Sequence, residues 1–401
     1  MKKLVMSTLF GTAILTACSN TSVDVENASE NNDENNNNVQ TVRNEDVQDS
    51  VTQSISSDYY QSVLPYELSP ARGLTSSNMV STYNMEAFEK GLFEQSKRFF
   101  PTDEYVFREG QIMSEKMTRE YLKRQYTKEQ IDEMDEATLK RTGAFSNLGL
   151  NPSNNGEEDP EKLAENAPLY LSHILEQDYL KIDEEGNQTF EGITFGLAMN
   201  SEYLYQKEQY GTTYQKDLDL EVVQKEGEDM AREILERLRE NSDYVDKKVV
   251  FAIFIQSKGT DIIPGNFVSY AVVEPGAKEI PKFETIDEQN VLLPSNNESV
   301  PEDVNSEYRA FNRELESYFK SFSTSVGRGV IRDGKLDELS IEIPFEYESR
   351  GEMVGLSQFV YELVEKHFKG TKVQAKIQDK SKVYSIITSD GEENTELYIT
   401  E

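Results

Sequence analysis

Apolar positions along this chain fall into three patterns, and each predicts a different element. From Leu4 to Leu15 they form a short, largely apolar run behind Lys2 and Lys3. From Met85 to Phe100 they recur at helical spacing as Met85, Phe88, Leu92 and Phe99, and the run stops at Pro101. From Val249 to Ile255 every position is apolar, as in a strand covered on both faces. The stretch Ser19–Asp58 fits none of these: it holds no aromatic residue and carries nine acids against one arginine. Such a segment buries too little apolar surface to offset its ordering entropy.

The folded region is expected to begin near Tyr59. After the helix Met85–Phe100, Ser114–Arg124 opens with a cap-like serine, and Thr127–Met134 opens with the capping-box pair Thr127 and Gln130. Asn151–Pro160 reads as a loop. A helix is expected over Pro160–Tyr179, with Asp159 as N-cap and Pro160 at the first helical position. A strand over Phe190–Tyr205 and a helix over Leu220–Asn241 follow. Val249–Gln256 and Phe267–Val273 read as strands.

A polar linker, Ser295–Val304, separates this series from a second. There the predicted elements are a helix Asn305–Ser325 and a hairpin turn at Asp333-Gly334 leading into a strand Leu339–Tyr347. A helix Met353–Phe368 and strands Val373–Ile377 and Val383–Thr388 complete the series. The fold class is α+β: an N-terminal helical section, then two tandem helix-strand-helix-strand-strand repeats. The boundaries are 1–17 for a signal peptide, 18–58 for a lipidated cysteine and disordered acidic linker, and 59–155 for the mostly helical section. Repeat 1 covers 156–290 and repeat 2 covers 300–401.

Cys18 is the only cysteine in 401 residues, and it follows Leu15-Thr16-Ala17. A basic start, a short apolar core and small residues at the cut make a secretory signal. A lone cysteine at that cut points to lipidation and leaves no intramolecular disulfide. The motif resembles a bacterial lipobox, in which the chain is cut before the cysteine and the sulfur is acylated. The apolar run is shorter than the roughly 20 residues a permanent span requires. Attachment to the membrane is therefore expected through the lipid at Cys18, on the outer face.

A formal net charge of −33 argues against nucleic-acid binding and against adhesion to anionic lipid through surface charge. Two histidines and one cysteine make a zinc site unfavourable. His173 is read on a helix beside Leu169 and Ile174, and His367 near a helix C-terminus, where it suits the dipole; both are read as structural. Gly355-Leu356-Ser357-Gln358-Phe359 lacks the final glycine of a nucleophile elbow, and Gly327-Arg328-Gly329 stops short of a phosphate loop. The acidic stretches Asp183–Asn187 and Asp390–Glu393 lack the alternating ligand order of a calcium loop and fit hairpin turns. No catalytic residue, metal or cofactor is assigned. One candidate surface is Tyr203 and Tyr205, two apart on a strand and so on one face, followed by Tyr210 and Tyr214. Such a cluster stacks on a glycan, grips a peptide, or packs a sheet edge.

Longer stretches carry a family resemblance. They include Ser69-Pro70-Ala71-Arg72-Gly73-Leu74, Phe100-Pro101-Thr102-Asp103, Asn147-Leu148-Gly149-Leu150-Asn151-Pro152-Ser153, Gly196–Ser201, Ile234–Asn241 and Leu292–Ser295. Through them, from about Tyr59 to Ile399, the chain resembles the CamS family of Gram-positive lipoproteins, the sex-pheromone precursors. The resemblance implies two repeats in the mature part. It also implies that the tail of the signal peptide is released as a short apolar peptide that induces plasmid transfer in a responding bacterium. Here that peptide is Gly11-Thr12-Ala13-Ile14-Leu15-Thr16-Ala17. The resemblance brings no catalytic residues. Three roles stand open: a pheromone precursor, an extracytoplasmic module binding a cell-wall or peptide ligand apart from signalling, and a carboxylate-based wall hydrolase.

Overall fold

The computed structural model describes residues 59–318, 324–392 and 394–400. Cys18, the Gly11–Ala17 peptide and the acidic linker lie outside these residues. In chain order the N-terminal section holds β1 (Gln61–Ser62), α1 (Leu74–Asn78), α2 (Thr82–Lys97), β2 (Val106–Glu109), α3 (Glu115–Tyr121), α4 (Lys128–Glu133), α5 (Glu136–Thr142) and α6 (Pro160–Asn166). Next come β3 (Leu171–Ile182), β4 (Gln188–Met199), β5 (Glu202–Gln206), β6 (Thr213–Asp217), α7 (Leu220–Arg239), β7 (Lys248–Ile255), β8 (Asn266–Val273) and β9 (Glu284–Thr285). The last third contains β10 (Glu288–Leu293), α8 (Glu302–Tyr318), β11 (Val326–Arg332), β12 (Lys335–Pro344), α9 (Arg350–His367), β13 (Lys372–Gln378), β14 (Val383–Ser389) and β15 (Thr395–Ile399).

Three sheets organise these elements. The first runs β1-β2-β3-β4-β7-β8-β9, the second β10-β11-β12-β13-β14-β15, and β5 and β6 form a separate ribbon. In the first sheet β3 and β4 pair antiparallel, α7 crosses over, β7 lies parallel to β4, and β8 returns antiparallel. The second sheet repeats these senses: β11 and β12 antiparallel, α9 as crossover, β13 parallel to β12, β14 antiparallel. The chain is thus of mixed α+β class, with both sheets helix-backed.

The expected order within the halves needs correction. Pro160–Tyr179 is not one helix. Pro168 lacks a donor and pushes the residue before it out of helical space, so α6 stops at Asn166 and the chain turns extended. The twelve residues of β3 then hold His173, so that histidine sits on a strand. Phe190–Tyr205 is likewise two strands, broken at Asn200, whose side-chain amide donates to the Leu169 carbonyl at 2.9 Å. With the β5–β6 ribbon set aside, both halves share the order helix-strand-strand-helix-strand-strand, each followed by one further strand, β9 or β15. β10, which precedes the expected start of the second repeat at 300, is an edge strand of the second sheet. The section 59–155 carries two strands of the first sheet as well as its helices.

The central pair of the first sheet is buried on both sides. Val249 through Phe254 are all at most 1% exposed. One face packs Ile193, Phe195, Leu197, Phe251 and Ile253 against Val223, Met230, Ala231 and Ile234 of α7. The other packs Ala198, Ala252, Phe254 and Phe267 against Phe88 and Leu92 of α2. The helix comes close: a methyl group on Gly196 would sit 2.9 Å from Leu92 Cδ2 and Phe88 Cε2. Capping agrees with the sequence. Ser81 accepts from the Asn84 amide to start α2, and Thr127 and Gln130 form a reciprocal capping box at α4.

The second sheet is covered on one face only. Its strands alternate, as in β11 and β13, and the inner residues Ile341, Ile343, Ala375, Ile377 and Ile387 meet Phe311 and Leu315 of α8 and Leu356 and Val360 of α9.

Two substitutions test the α2 seat. Phe88→Ala should lower unfolding free energy by about 3–5 kcal/mol, the usual cost of emptying a fully buried phenylalanine site. Gly196→Ala, which adds volume at the same contact, should cost about 1–3 kcal/mol. Chemical denaturation followed by circular dichroism measures both. A loss under about 0.5 kcal/mol for either would show that α2 is not held by this contact.

Candidate functional site

The β5–β6 ribbon carries the tyrosines singled out from the sequence. Tyr205 and Tyr214 are direct cross-strand partners, with ring centroids 5.5 Å apart and planes 24° apart. Tyr203 and Tyr205 stack at 6.4 Å. Lys207 Nζ lies 5.0 Å from the Tyr214 ring, and Arg124 Nη2 donates to the Tyr203 hydroxyl at 3.5 Å. Three of the four tyrosines thus form one ladder on one face. Tyr210 does not join it: it sits between the two strands of the ribbon with φ 63° and is 91% exposed.

A larger feature lies where α2 faces the second sheet. There a cleft of about 850 Å³ opens. Its wall is one side of α2, Tyr83, Glu86, Ala87 and Lys90, spaced i, i+3, i+4, i+7. Its floor is the uncovered face of the second sheet. The opposite side of α2 holds Phe88 and Leu92 on the first sheet, so one helix serves both surfaces. Side chains of α2 and of the second sheet meet across the cleft. Lys90 pairs with Glu338, and the Arg328 guanidinium lies 5.0 Å above the Tyr83 ring. Burial pushes the Glu338 carboxyl up, but Lys90 and Arg332 outweigh it and hold that carboxyl below the ordinary range.

A second cavity, about 960 Å³, sits at the ends of β12 and β13 beside the start of α9. Tyr347 and Tyr384 stack there at 5.2 Å with Phe345 edge-on to both. Asp379 is occupied locally, accepting from the Tyr384 and Ser381 hydroxyls and from the Ser381 amide, which hold its carboxyl low.

Glu176 and Asp178 share one face of β3, and both are buried. Glu176 accepts from the backbone amides of Ile112 and Met113 at 2.9 and 2.6 Å. Asp178 Oδ2 accepts from Arg108 Nη2 at 2.8 Å. Burial, then the neighbouring Asp178, raises the Glu176 carboxyl well above its ordinary value. Asp178 is fully enclosed, so this pair has no face open to a substrate. His173 is 1% exposed and takes Thr75 Oγ1 at 3.0 Å and Asn78 Nδ2 at 3.2 Å. His367 lies against Glu307 at 2.5 Å and Glu314 at 3.2 Å. The two acidic stretches are hairpin turns. Asp183 accepts from the Glu185 and Asn187 amides, and Asp390 from those of Glu392 and Asn394. Among the described residues no group of three or more His, Cys, Asp or Glu is placed to hold a metal, and no helix is long and apolar enough to cross a membrane.

The fold and these surfaces define an α+β protein of two helix-backed sheets with a cleft between one helix and the second sheet. The chain belongs to the CamS family, whose model, the CamS sex pheromone cAM373 precursor, matches residues 66–395. The structure is similar to that of the C-terminal domain of the sex pheromone staph-cAM373 precursor from Staphylococcus aureus. That comparison gives a TM-score of 0.72 and 38% identity over 81% of this chain and 98% of that one. It is also similar to a sex pheromone precursor from Lactobacillus salivarius, at TM-score 0.75 and 27% identity over 87% and 98% of the two chains. No curated protein matches the sequence.

The buried ionisable groups predict two opposed pH dependences. Burial depresses His173 from 6.5 to about 4, so the unfolded chain binds the extra proton between those values. That histidine's contribution, about 3 kcal/mol, is lost as pH falls from 6.5 towards 4. Glu176 works the other way, because the folded chain keeps a proton that the unfolded chain sheds above about 4.5. Its effect lowers stability as pH rises from there. Relative to wild type, His173→Gln should therefore make the slope of stability against pH from 4.5 to 6.5 more negative, and Glu176→Gln should make it more positive. Urea midpoints across that range give the slopes. Parallel slopes in the two variants would contradict the assignment.

Proposed function

We propose that this protein is a lipid-anchored extracytoplasmic precursor with two products. The first is the signal-peptide fragment Gly11–Ala17, freed when the chain is cut between Ala17 and Cys18 and trimmed near Gly11. The second is the acylated remainder, held on the outer face of the Gram-positive membrane through Cys18, whose folded part is a non-catalytic binding module. Family membership together with the lipobox Leu15-Thr16-Ala17-Cys18 supports the precursor role. The observation that carries the binding role is the open cleft of about 850 Å³. The tyrosine ladder Tyr203, Tyr205 and Tyr214 is a smaller accessory surface on the same module. The shared strand senses of the two sheets support an origin by duplication of one unit.

Targeted mass spectrometry of culture supernatant tests the precursor role. The wild-type strain should release Gly11–Ala17 as a heptapeptide or close to it. Cys18→Ser should abolish acylation and signal cleavage, and the peptide should vanish with them. If the wild-type supernatant lacks the peptide, the precursor role fails. If the serine variant is still cut and labelled by lipid, the anchor assignment fails.

A further inference from the structure

The floor of the cleft has a regular chemistry that the binding-module reading leaves unnamed. Strand register aligns Arg328, Ser340, Gln374, Thr388 and Glu396 across five adjacent strands, from β11 to β15. All five line the cleft. Four strand spacings of about 4.8 Å make this polar row about 19 Å long. Tyr59 and Tyr83 stand at the cleft with exposed rings, while the Asn290 side-chain amide donates to Gly265 and Asn266 and that of Asn394 to Asp390. In the first sheet the corresponding face is apolar and sealed by α2; here it is polar and open.

The occupant follows by exclusion and fit. An anionic polymer meets a chain of net charge −33 and a cleft whose carboxylates, Glu86, Glu338, Asp390 and Glu396, outnumber its cations, Lys90, Arg328 and Lys372. An extended peptide binds sheets by adding to an edge, where free N–H and C=O groups await it. The floor's outer edge is β15, and a peptide added there would run along that strand and meet only Glu396 of the row. Strands β11 to β14 are paired on both sides, and the edge strand β10 is stitched to β8, with the Asn290 amide donating to Asn266 Oδ1 at 2.6 Å. A peptide backbone lying across this face would leave its own polar groups largely unpaired. A saccharide needs no backbone ladder. Its hydroxyls take hydrogen bonds from hydroxyl, amide, guanidinium and carboxylate side chains, and its apolar ring faces lie on tyrosine.

We infer that the cleft binds a neutral polysaccharide chain, laid along the row Arg328–Ser340–Gln374–Thr388–Glu396 with sugar rings against Tyr83 and Tyr59. This rests on the binding-module reading and narrows its ligand to one class. Gln374 and Thr388 sit mid-row, outside the hydrophobic core, and their truncation removes ligand hydrogen bonds without opening a cavity.

The test is a tyrosine-fluorescence titration of the full-length lipoprotein in detergent, since the chain has 21 tyrosines and no tryptophan. The probe is the neutral polysaccharide fraction released from the cell walls of the producing bacterium, with casein-derived peptides titrated separately. Saturable polysaccharide binding is expected. It should weaken at least tenfold in Gln374→Ala/Thr388→Ala and stay unchanged in Lys225→Ala on the exposed side of α7. Circular dichroism melting confirms that each variant is folded. Equal binding by the cleft variant would place the site elsewhere, and peptide binding without polysaccharide binding would overturn the ligand class; in both cases the module reading stands. Binding of neither probe would overturn this inference and the module reading together.

Discussion

The two-sided burial of the β4–β7 pair is the constraint on which the rest of this structure depends. Residues Val249–Phe254 leave no side of β7 for water, so a helix must lie on each face of the first sheet. α7 is the crossover helix and arrives on one face by topology. The other face has no crossover to cover it and is closed by α2, drawn from the N-terminal section. Phe88 and Leu92 fix how deep α2 sits, and Gly196 lets it approach. That seat in turn sets the height of Tyr83, Glu86 and Lys90 above the second sheet. The cleft is thus a by-product of covering the first sheet.

The second sheet shows what the same strand senses do without a second cover. Its strands alternate apolar and polar, and α8 and α9 bury only the inner row. The outer row stays polar and free for a ligand. Its ion pair to α2 joins a largely exposed Lys90 to Glu338 and so adds little stability by itself. Function and stability are therefore separated in space. The first sheet carries the larger share of buried apolar surface, and the second offers the open face.

Much of this was legible in the residues. The unbroken apolar run at Val249, the box at Thr127 and Gln130, the Asp333-Gly334 turn and the stripe of α7 all appear where their patterns place them. The failures have physical causes. β3 is buried on both sides and carries polar residues such as His173 and Glu176 in hydrogen-bonded interior positions, so it shows no clean period of two. Pro168 was the available signal that a helix could not continue. β10 and β15 are short edge strands whose pairing is set by partners distant in sequence. The tyrosine ladder followed from the spacing of Tyr203 and Tyr205, but Tyr210 lies between the strands where no neighbour reaches it. The cleft had no local signature at all. Its row of polar residues comes from five strands spread over some seventy positions, and only register brings them into line.

Hydrogen exchange read by mass spectrometry tests the central claim most directly. Backbone amides exchange according to how much structure must open to expose them. If the β4–β7 pair is the element that everything else covers, peptides from 192–199 and 249–255 should be the slowest in the protein. Peptides from β13 and β14, open on one face, should exchange sooner, and those of the β5–β6 ribbon first. The account is contradicted if β13 and β14 match or outlast β7, because the protein would then be built around its second sheet and α2 would not owe its position to the first.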